Sequence, residues 1–163
     1  MASRDLKDCT PSLQLKAKAF FSAVLRAGIP VVLTCTARTV KEQRALYAQG
    51  RELLFDVNEL RAMAGLPPIT AEQNKNKVTW TLNSKHIIDL DDGSTDNDLS
   101  RAFDIVIAPG GKPTWNIKVD VNKDQEPDYW QVGKIGEACG LRWGGRFKTP
   151  DMPHFEDTEG NPK

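Results

Sequence analysis

The chain has 163 residues, enough for one domain with a sizeable hydrophobic core. Its 22 basic and 22 acidic residues give a formal net charge of zero, which argues against a nucleic-acid-binding protein because such proteins usually carry a basic excess. The sequence has no apolar run of membrane-spanning length, so membrane insertion is not expected either.

The first half of the chain predicts mainly helices. Apolar residues at helical spacing, after a Thr-Pro start, predict a helix over residues 10–28. The β-branched run VVLTCTA, from residue 31, predicts a buried strand. A capping-box pattern at residue 39 predicts a second helix to about residue 50, and residues 51–66 predict a third.

The second half predicts short strands joined by loops. Strands are expected at residues 78–82 and 102–108, with the acidic segment 89–98 as a loop between them. A helix is predicted over residues 127–139, and residues 141–156 suggest a strand, a glycine turn and a final short strand.

This order of elements indicates an α+β fold, in which a small antiparallel sheet has helices packed against it. Residues 1–163 are interpreted as a single domain, with 157–163 as a loose tail. The N-terminal segment lacks the apolar core of a secretory signal, so synthesis and storage in the cytoplasm are expected.

The three cysteines, Cys9, Cys35 and Cys139, are an odd number without a CxxC pair, so a disulfide framework is not expected. All three are interpreted as core or incidental residues. A nucleophilic Cys35 is the alternative, although that residue lies in an apolar run, where thiols are usually inert.

The only two histidines are His86 and His154, and Asp104 interrupts the apolar strand AFDIVIA. A carboxylate is costly to bury there unless it is paired or bound to a cation. Two imidazoles and one carboxylate are a common catalytic zinc set. A general base is then needed near the attacking water, and Asp151 is the candidate. From spacing alone, ordinary core or surface histidines remain the commoner explanation, since no HExxH helix is present.

Three segments resemble a known signature. Residues 84–86 (SKH), 100–104 (SRAFD) and 151–156 (DMPHFE) are similar to the SxHxxGxAxD…DxxH pattern of the LAS-type zinc peptidases. This family comprises D-Ala-D-Ala carboxypeptidases, D-Ala-D-Ala dipeptidases and phage L-alanyl-D-glutamate endolysins. Residues 34–39 and 141–145 resemble its TSGYRT-like and GLxWGG segments. The resemblance implies a hedgehog/D-Ala-D-Ala peptidase-like fold.

The resemblance also implies the main site residues. His86, Asp104 and His154 match the zinc ligands of the family, and Asp151 matches its general base. One departure affects Asp104, which follows His86 by 18 positions because an acidic segment (residues 87–99) is inserted. Asp89 or another loop aspartate is therefore an alternative ligand. Asp104 is preferred because its flanking residues match and a strand holds a ligand better than a loop does.

Further residues match the family pattern less directly. Arg38 matches an arginine that holds the substrate or the developing oxyanion, although a surface role beside a helix cap is the alternative. Ser84 matches the signature serine and is expected to support the metal ligands from behind. Trp143 is expected either to line the substrate cleft or to belong to the core. Glu156 either supports a ligand or is solvated, and Ser100 replaces the family glycine.

The inserted loop suggests a second metal. Aspartates are concentrated in residues 89–98, at Asp89, Asp91, Asp92, Asp96 and Asp98. Carboxylates are preferred ligands of Ca²⁺, so a calcium site is one hypothesis. The spacing does not fit an EF-hand, and a solvated loop is the favoured interpretation.

Taken with the resemblance, these features predict a zinc peptidase that cuts stem peptides of bacterial peptidoglycan, its expected partner. The favoured form is a monomeric phage endolysin with L-alanyl-D-glutamate endopeptidase activity. Such an enzyme would stay in the host cytoplasm until a holin releases it to the periplasm and cell wall. The alternatives are a D-Ala-D-Ala carboxypeptidase or dipeptidase, a non-catalytic zinc-binding module, and an α+β binding domain without metal.

Overall fold

A computed structural model describes residues 2–95 and 97–159. The helices are α1 (Pro11–Arg26), α2 (Val40–Ala48), α3 (Leu54–Met63) and α4 (Asp128–Ala138). The strands are β1 (Val31–Cys35), β2 (Arg38–Thr39), β3 (Ile87–Ile88), β4 (Ala102–Ile107), β5 (Arg142–Trp143) and β6 (His154–Glu156). Within the described ranges, none of the helices has the length and apolar character needed to cross a lipid bilayer.

Four strands form an antiparallel sheet in the order β1-β4-β6-β5. The short strands β2 and β3 form a separate parallel pair. Side chains from α1, α4 and the sheet make up the hydrophobic core. The predicted α+β class, a small antiparallel sheet with helices packed against it, is therefore confirmed.

Helix α1 begins where the sequence predicts. The Thr10 side chain accepts a hydrogen bond from the amide of Leu13 and thereby caps the helix. Its apolar stripe packs on the sheet, where the ring of Phe20 lies 5.4 Å from that of Phe103 and 4.8 Å from that of Phe155. Phe103 directly precedes Asp104 on β4, and Phe155 directly follows His154 on β6. This packing therefore holds both strands that carry candidate ligands in place.

Two glycines let α4 approach the sheet closely. A Cβ atom on Gly133 would lie 2.4 Å from the ring of Trp143, and one on Gly136 would lie 2.4 Å from the ring of Phe155. A larger residue at either position would push the helix away from β5 and β6. The glycines thus help to set the position of β6, which carries His154.

The strand predicted at residues 78–82 is wrong. This segment has no strand partner, and side chains of the α2 region bind its backbone instead. The Gln43 side-chain amide donates to the oxygen of Thr81 at 2.7 Å, and the Arg51 guanidinium donates to the oxygen of Thr79 at 3.0 Å. The β-branched residues favour an extended backbone here, but no neighbouring strand is available to pair with it.

The prediction of a loose tail over residues 157–163 is wrong at its beginning. Asp157 is buried, its amide donates to the oxygen of Arg101, and its carboxylate lies 2.7 Å from the ammonium of Lys16. The Ser12 hydroxyl donates to Glu159 at 2.8 Å. These bonds hold residues 157–159 against the rest of the fold after β6 ends. Residues 160–163 lie outside the described residues.

Candidate metal centre

Three separate segments bring His86, Asp104 and His154 together. The β4–β6 register places Asp104 directly opposite His154. His86 lies in the turn before β3, and its main-chain oxygen accepts a hydrogen bond of 2.8 Å from the amide of Arg38 at the start of β2. The small parallel pair therefore joins the His86 turn to the segment that follows β1, which pairs with β4.

The ligand atoms of the three side chains form a compact triangle. His86 Nε2 lies 3.0 Å from Asp104 Oδ1 and 3.2 Å from His154 Nδ1, and His154 Nδ1 lies 3.0 Å from Asp104 Oδ1. Both histidines are buried, whereas Asp104 is partly exposed. The structure thus brings Asp104, and not the alternative Asp89, to the two histidines.

The remaining ring nitrogens have partners of their own. His86 Nδ1 lies 2.9 Å from the main-chain oxygen of Thr36, and His154 Nε2 lies 3.2 Å from Glu156 Oε2. Because both partners are acceptors, we assign the proton of each neutral imidazole to these outward nitrogens. The inward nitrogens then present lone pairs to the carboxylate of Asp104, so the centre of the triangle requires a cation.

The pKa shifts of His86 and Asp104 also indicate that this cluster needs a positive charge. Burial alone would lower the pKa of His86, but the negative charge of Asp104 raises it to about 10. Burial would raise the pKa of Asp104, but the positive charge of His86 and hydrogen bonds from both histidines hold it well below its usual range. Without another cation, a proton on His86 supplies the positive charge that the cluster needs.

The triangle fits a zinc ion. Zn²⁺ binds imidazole nitrogen and carboxylate oxygen at about 2.0–2.2 Å, so tetrahedral ligands lie roughly 3.3–3.6 Å apart. The observed edges of 3.0–3.2 Å need to open only slightly to accept the ion. Three protein ligands leave one of four positions open, which is the arrangement of catalytic rather than structural zinc sites.

Cys35 offers a second grouping with His86 and Asp104, since one potential ligand atom from each lies within 4.8 Å of the others. Its sulfur, however, is 3.7 Å from His86 Nδ1, the nitrogen that also faces Thr36. We therefore favour His154 as the third ligand, because its Nδ1 faces His86 Nε2, the same nitrogen that faces Asp104. Cys35 is buried, and the described cysteines form no disulfide.

The triangle opens into a cleft of about 860 Å³. Asp151 lines this cleft with the three candidate ligands. Its side chain remains exposed, yet desolvation by the surrounding protein and then the negative charge of Asp104 raise its pKa. A carboxylate with a raised pKa is a stronger base than an ordinary aspartate, which suits it to act as a general base.

Arg38 also lines the cleft, and its guanidinium lies 3.3 Å from Asp104 Oδ2, the oxygen that does not face the histidines. It donates as well to the side chain of Gln43 at 3.4 Å. A fixed cation beside the metal triangle is placed to meet negative charge on a bound carbonyl oxygen. The surface role considered from the sequence does not describe this half-buried position.

Ser84 lines the cleft, and its hydroxyl accepts a hydrogen bond of 3.3 Å from the amide of His86, so it supports the turn and not the imidazole. Of the two roles expected for Trp143, the structure supports the one in the core, and this side chain does not line the cleft. Its ring is fully buried against α4, and its indole nitrogen donates to the oxygen of Met152 at 2.9 Å. The large apolar ring is accommodated in the core, from which it anchors the loop before His154.

Two further contacts support the histidines, and only the one with Glu156 was among the alternatives that the sequence offered. The oxygen of Thr36 accepts from both His86 Nδ1 and the buried hydroxyl of Ser100, at 2.9 and 2.6 Å. Glu156, for which the sequence allows either support of a ligand or solvation, is buried between His154 and Arg142. The alternation of β6, which puts His154 and Glu156 on one face, was the available signal for the second contact.

Among the described residues of the acidic loop, none has a carboxylate in hydrogen-bond contact with His86, Asp104 or His154. Asp89 accepts a hydrogen bond from the amide of Asp91, and Asp92 accepts from Ser94 and Asn97. Asp96 lies outside the described residues. Nothing in the described residues tests calcium binding at residues 89–98, so it stays a hypothesis beside the favoured interpretation of a solvated loop.

Comparisons with known proteins concern the family and the fold of the chain. A family model described as D-alanyl-D-alanine carboxypeptidase matches residues 98–157. The peptidoglycan L-alanyl-D-glutamate endopeptidase CwlK of Bacillus subtilis (strain 168) is 27% identical over 151 residues, which cover 91% of this chain and 73% of that protein. The crystal structure of the Serratia marcescens L-Ala D-Glu endopeptidase ChiX is similar in fold, with a TM-score of 0.55 and 19% identity, over 97% of this chain and 89% of that one. The resemblance to the LAS-type peptidases is thereby confirmed.

Proposed function

We propose that this relative of the LAS-type peptidases is a zinc-dependent endopeptidase that cuts the L-alanyl-D-glutamate bond of peptidoglycan. The convergence of His86, His154 and Asp104 within 3.0–3.2 Å, at the base of an open cleft, carries the proposal. The choice of bond rests on the names of the relatives CwlK and ChiX, which describe L-alanyl-D-glutamate endopeptidases.

The chemistry divides between the metal and the protein. A zinc ion held by the three ligands would polarise the scissile carbonyl and make a bound water more acidic. Asp151 accepts the proton of the attacking water and then returns it to the leaving amine, for which its raised pKa is suited. Proton transfer of this kind typically contributes about 10²–10⁴-fold to the rate.

Other side chains orient the reacting groups. Arg38 offers a positive charge beside Asp104 to the carbonyl oxygen as negative charge develops there. Glu156 and the oxygen of Thr36 hold the two imidazoles in the orientation that exposes their ligand nitrogens. Their contribution is to keep the ligand set preformed before metal and substrate bind.

The decisive experiment is a digest of purified peptidoglycan analysed by mass spectrometry. New glutamate N-termini, with alanine left on the glycan, are expected. Release of terminal D-alanine alone would contradict the endopeptidase and favour the second candidate, a D-Ala-D-Ala carboxypeptidase or dipeptidase, which the matching family model supports.

The non-catalytic alternative is separated by two measurements. A zinc-binding module without activity would contain metal but release no peptide, and it would have no use for Asp151. Elemental analysis of the purified protein is expected to give about one equivalent of zinc per chain.

Calorimetric titration of the zinc-loaded protein with Ca²⁺ tests the acidic loop, where no heat at millimolar concentration would end the calcium hypothesis.

The biological setting is a further part of the proposal. By analogy with phage endolysins, the enzyme accumulates in the host cytoplasm as a monomer and reaches the wall when a holin opens the membrane. Expression in a bacterial host is expected to cause lysis only when a holin is produced as well. Lysis without the holin would contradict this route.

A further inference from the structure

Trp80 is a large apolar side chain that the fold leaves in the open. It is 66% exposed, and it lines the same cleft as the candidate metal ligands. The ammonium of Lys77 lies 5.9 Å from its ring centre, which is the outer limit of a cation–π contact. Exposed aromatic surface beside polar cleft residues is characteristic of ligand sites.

The backbone on both sides of Trp80 is held firmly. The side-chain amide of the buried Gln43 donates to Thr79 Oγ1 at 3.1 Å and to the oxygen of Thr81 at 2.7 Å. The Arg51 guanidinium donates to the oxygen of Thr79 at 3.0 Å. The indole is therefore presented on an anchored segment, so a ligand that stacks on it does not have to order a free loop.

Gln43, which holds the segment around Trp80, is also linked to the candidate metal ligands. Gln43 accepts a hydrogen bond of 3.4 Å from Arg38, which in turn contacts Asp104. The segment that carries Trp80 is thus connected, through Gln43 and Arg38, to Asp104. A group stacked on the indole would be held in a defined position relative to a peptide bond at the metal.

The chemistry of the substrate indicates what this group is. In peptidoglycan the amine of the stem L-alanine is joined to the lactyl group of N-acetylmuramic acid, so the sugar is the neighbour of the L-alanyl-D-glutamate bond. One extended residue spans about 3.5 Å, which puts the sugar within roughly 10 Å of that bond. The C–H faces of a pyranose ring are apolar and stack well on an indole.

We propose that Trp80 is the stacking surface for the N-acetylmuramic acid ring of the substrate. This inference rests on the proposed function, because it requires the scissile bond to lie next to the sugar. Trp80 then contributes to specificity, by favouring stem peptides that are still attached to glycan over free peptides.

The test compares two substrates on the zinc-loaded full chain. One is a disaccharide-tetrapeptide, and the other is the same tetrapeptide with its alanine amine acetylated, so that both carry an amide there. The wild type is expected to have a higher kcat/KM on the glycan-linked substrate. Trp80→Ala is expected to lower the ratio of the two kcat/KM values by roughly two- to tenfold, the range of aromatic stacking, and Trp80→Phe to retain part of it.

Two control variants make the outcome specific. Phe55→Ala removes an aromatic side chain that is 70% exposed but does not line the cleft, and Trp115→Ala removes the second exposed indole that does. Both are expected to keep the wild-type ratio. An unchanged ratio in Trp80→Ala, or a loss only in Trp115→Ala, would overturn the assignment.

Failure of the proposed function would look different. If the wild type cuts neither substrate between alanine and glutamate, the endopeptidase proposal itself is wrong. If it cuts both with equal kcat/KM, the endopeptidase stands and the sugar-stacking role of Trp80 is rejected.

Discussion

His86 Nδ1 lies 2.9 Å from the main-chain oxygen of Thr36, and this contact determines which nitrogen of the ring faces the centre of the site. With its proton directed to Thr36, the imidazole turns an unprotonated Nε2 toward Asp104 and His154. The assignment of the metal ligands depends on this orientation.

The first prediction separates the two possible ligand sets. His154→Ala is expected to lose the metal, because it removes one of three protein ligands, whereas Cys35→Ser is expected to keep it, because the sulfur faces the other side of His86. Zinc content by elemental analysis after gel filtration measures both variants. Metal retained in His154→Ala and lost in Cys35→Ser would favour the cysteine set.

The second prediction concerns the general base. Asp151→Asn is expected to bind zinc as the wild type does but to lose about 10²–10⁴-fold in kcat, since proton transfer is lost while the ligands remain. Hydrolysis of glycan-linked peptide, followed by mass spectrometry, gives the rate. Thr149→Ala, at another exposed cleft position, is the matched control. Near-normal activity in Asp151→Asn would exclude Asp151 as the base.

The third prediction concerns the support of His154. Glu156→Ala removes the acceptor that lies 3.2 Å from His154 Nε2, and it also leaves Arg142 without this partner. Loss of a partner that orients a metal-bound histidine typically weakens metal binding by about 10–100-fold. Competition with a chelator measures the affinity. Arg142→Met is the control for the ion pair, and equal losses in both variants would assign the effect to that pair.

The fourth prediction is a pH dependence of stability. Burial alone would raise the pKa of Asp157, but hydrogen bonding to Lys16 outweighs it and lowers the pKa below the ordinary 3.8. A lowered folded-state pKa means that the carboxylate stabilises the fold above about pH 4 and that this contribution is lost as the pH falls further.

Urea denaturation of Asp157→Asn tests this contribution. At pH 7 the variant is expected to be less stable by roughly 1.5–3 kcal/mol, the usual range for a hydrogen bond to a charged group. The difference from the wild type should shrink toward pH 3. Glu159→Gln, which alters the exposed neighbour on the same lysine, is expected to change little. A difference that does not depend on pH would argue against the ion pair.

Much of the framework could be predicted from neighbouring residues alone. Thr10 caps α1, the pair Thr39 and Glu42 forms the capping box of α2, and the apolar run around Asp104 forms β4. These features depend on contacts within one turn of helix or on the alternation of one strand, so a local pattern is sufficient to reveal them. The resemblance to the family signature in turn implies His86, Asp104 and His154 as ligands.

Other features were decided by residues far apart in the chain. The alternation at residues 78–82 looks like a strand, but Gln43 and Arg51 hold that segment instead. Trp143 lies in the segment that resembles the GLxWGG pattern, where a place in the substrate cleft was one of two expected roles. The absence of side chains at Gly133 and Gly145 leaves room for its ring in the core instead.

By itself, the sequence determined which residue types this protein has available for a metal site and which local elements carry them. Only the tertiary structure decided how they meet: Asp104 opposite His154 across a strand pair, and His86 turned by an oxygen 50 positions away. The physical reason is that helix and strand formation are satisfied by nearby backbone groups, whereas the orientation of an imidazole depends on whichever distant acceptor the packing brings to it.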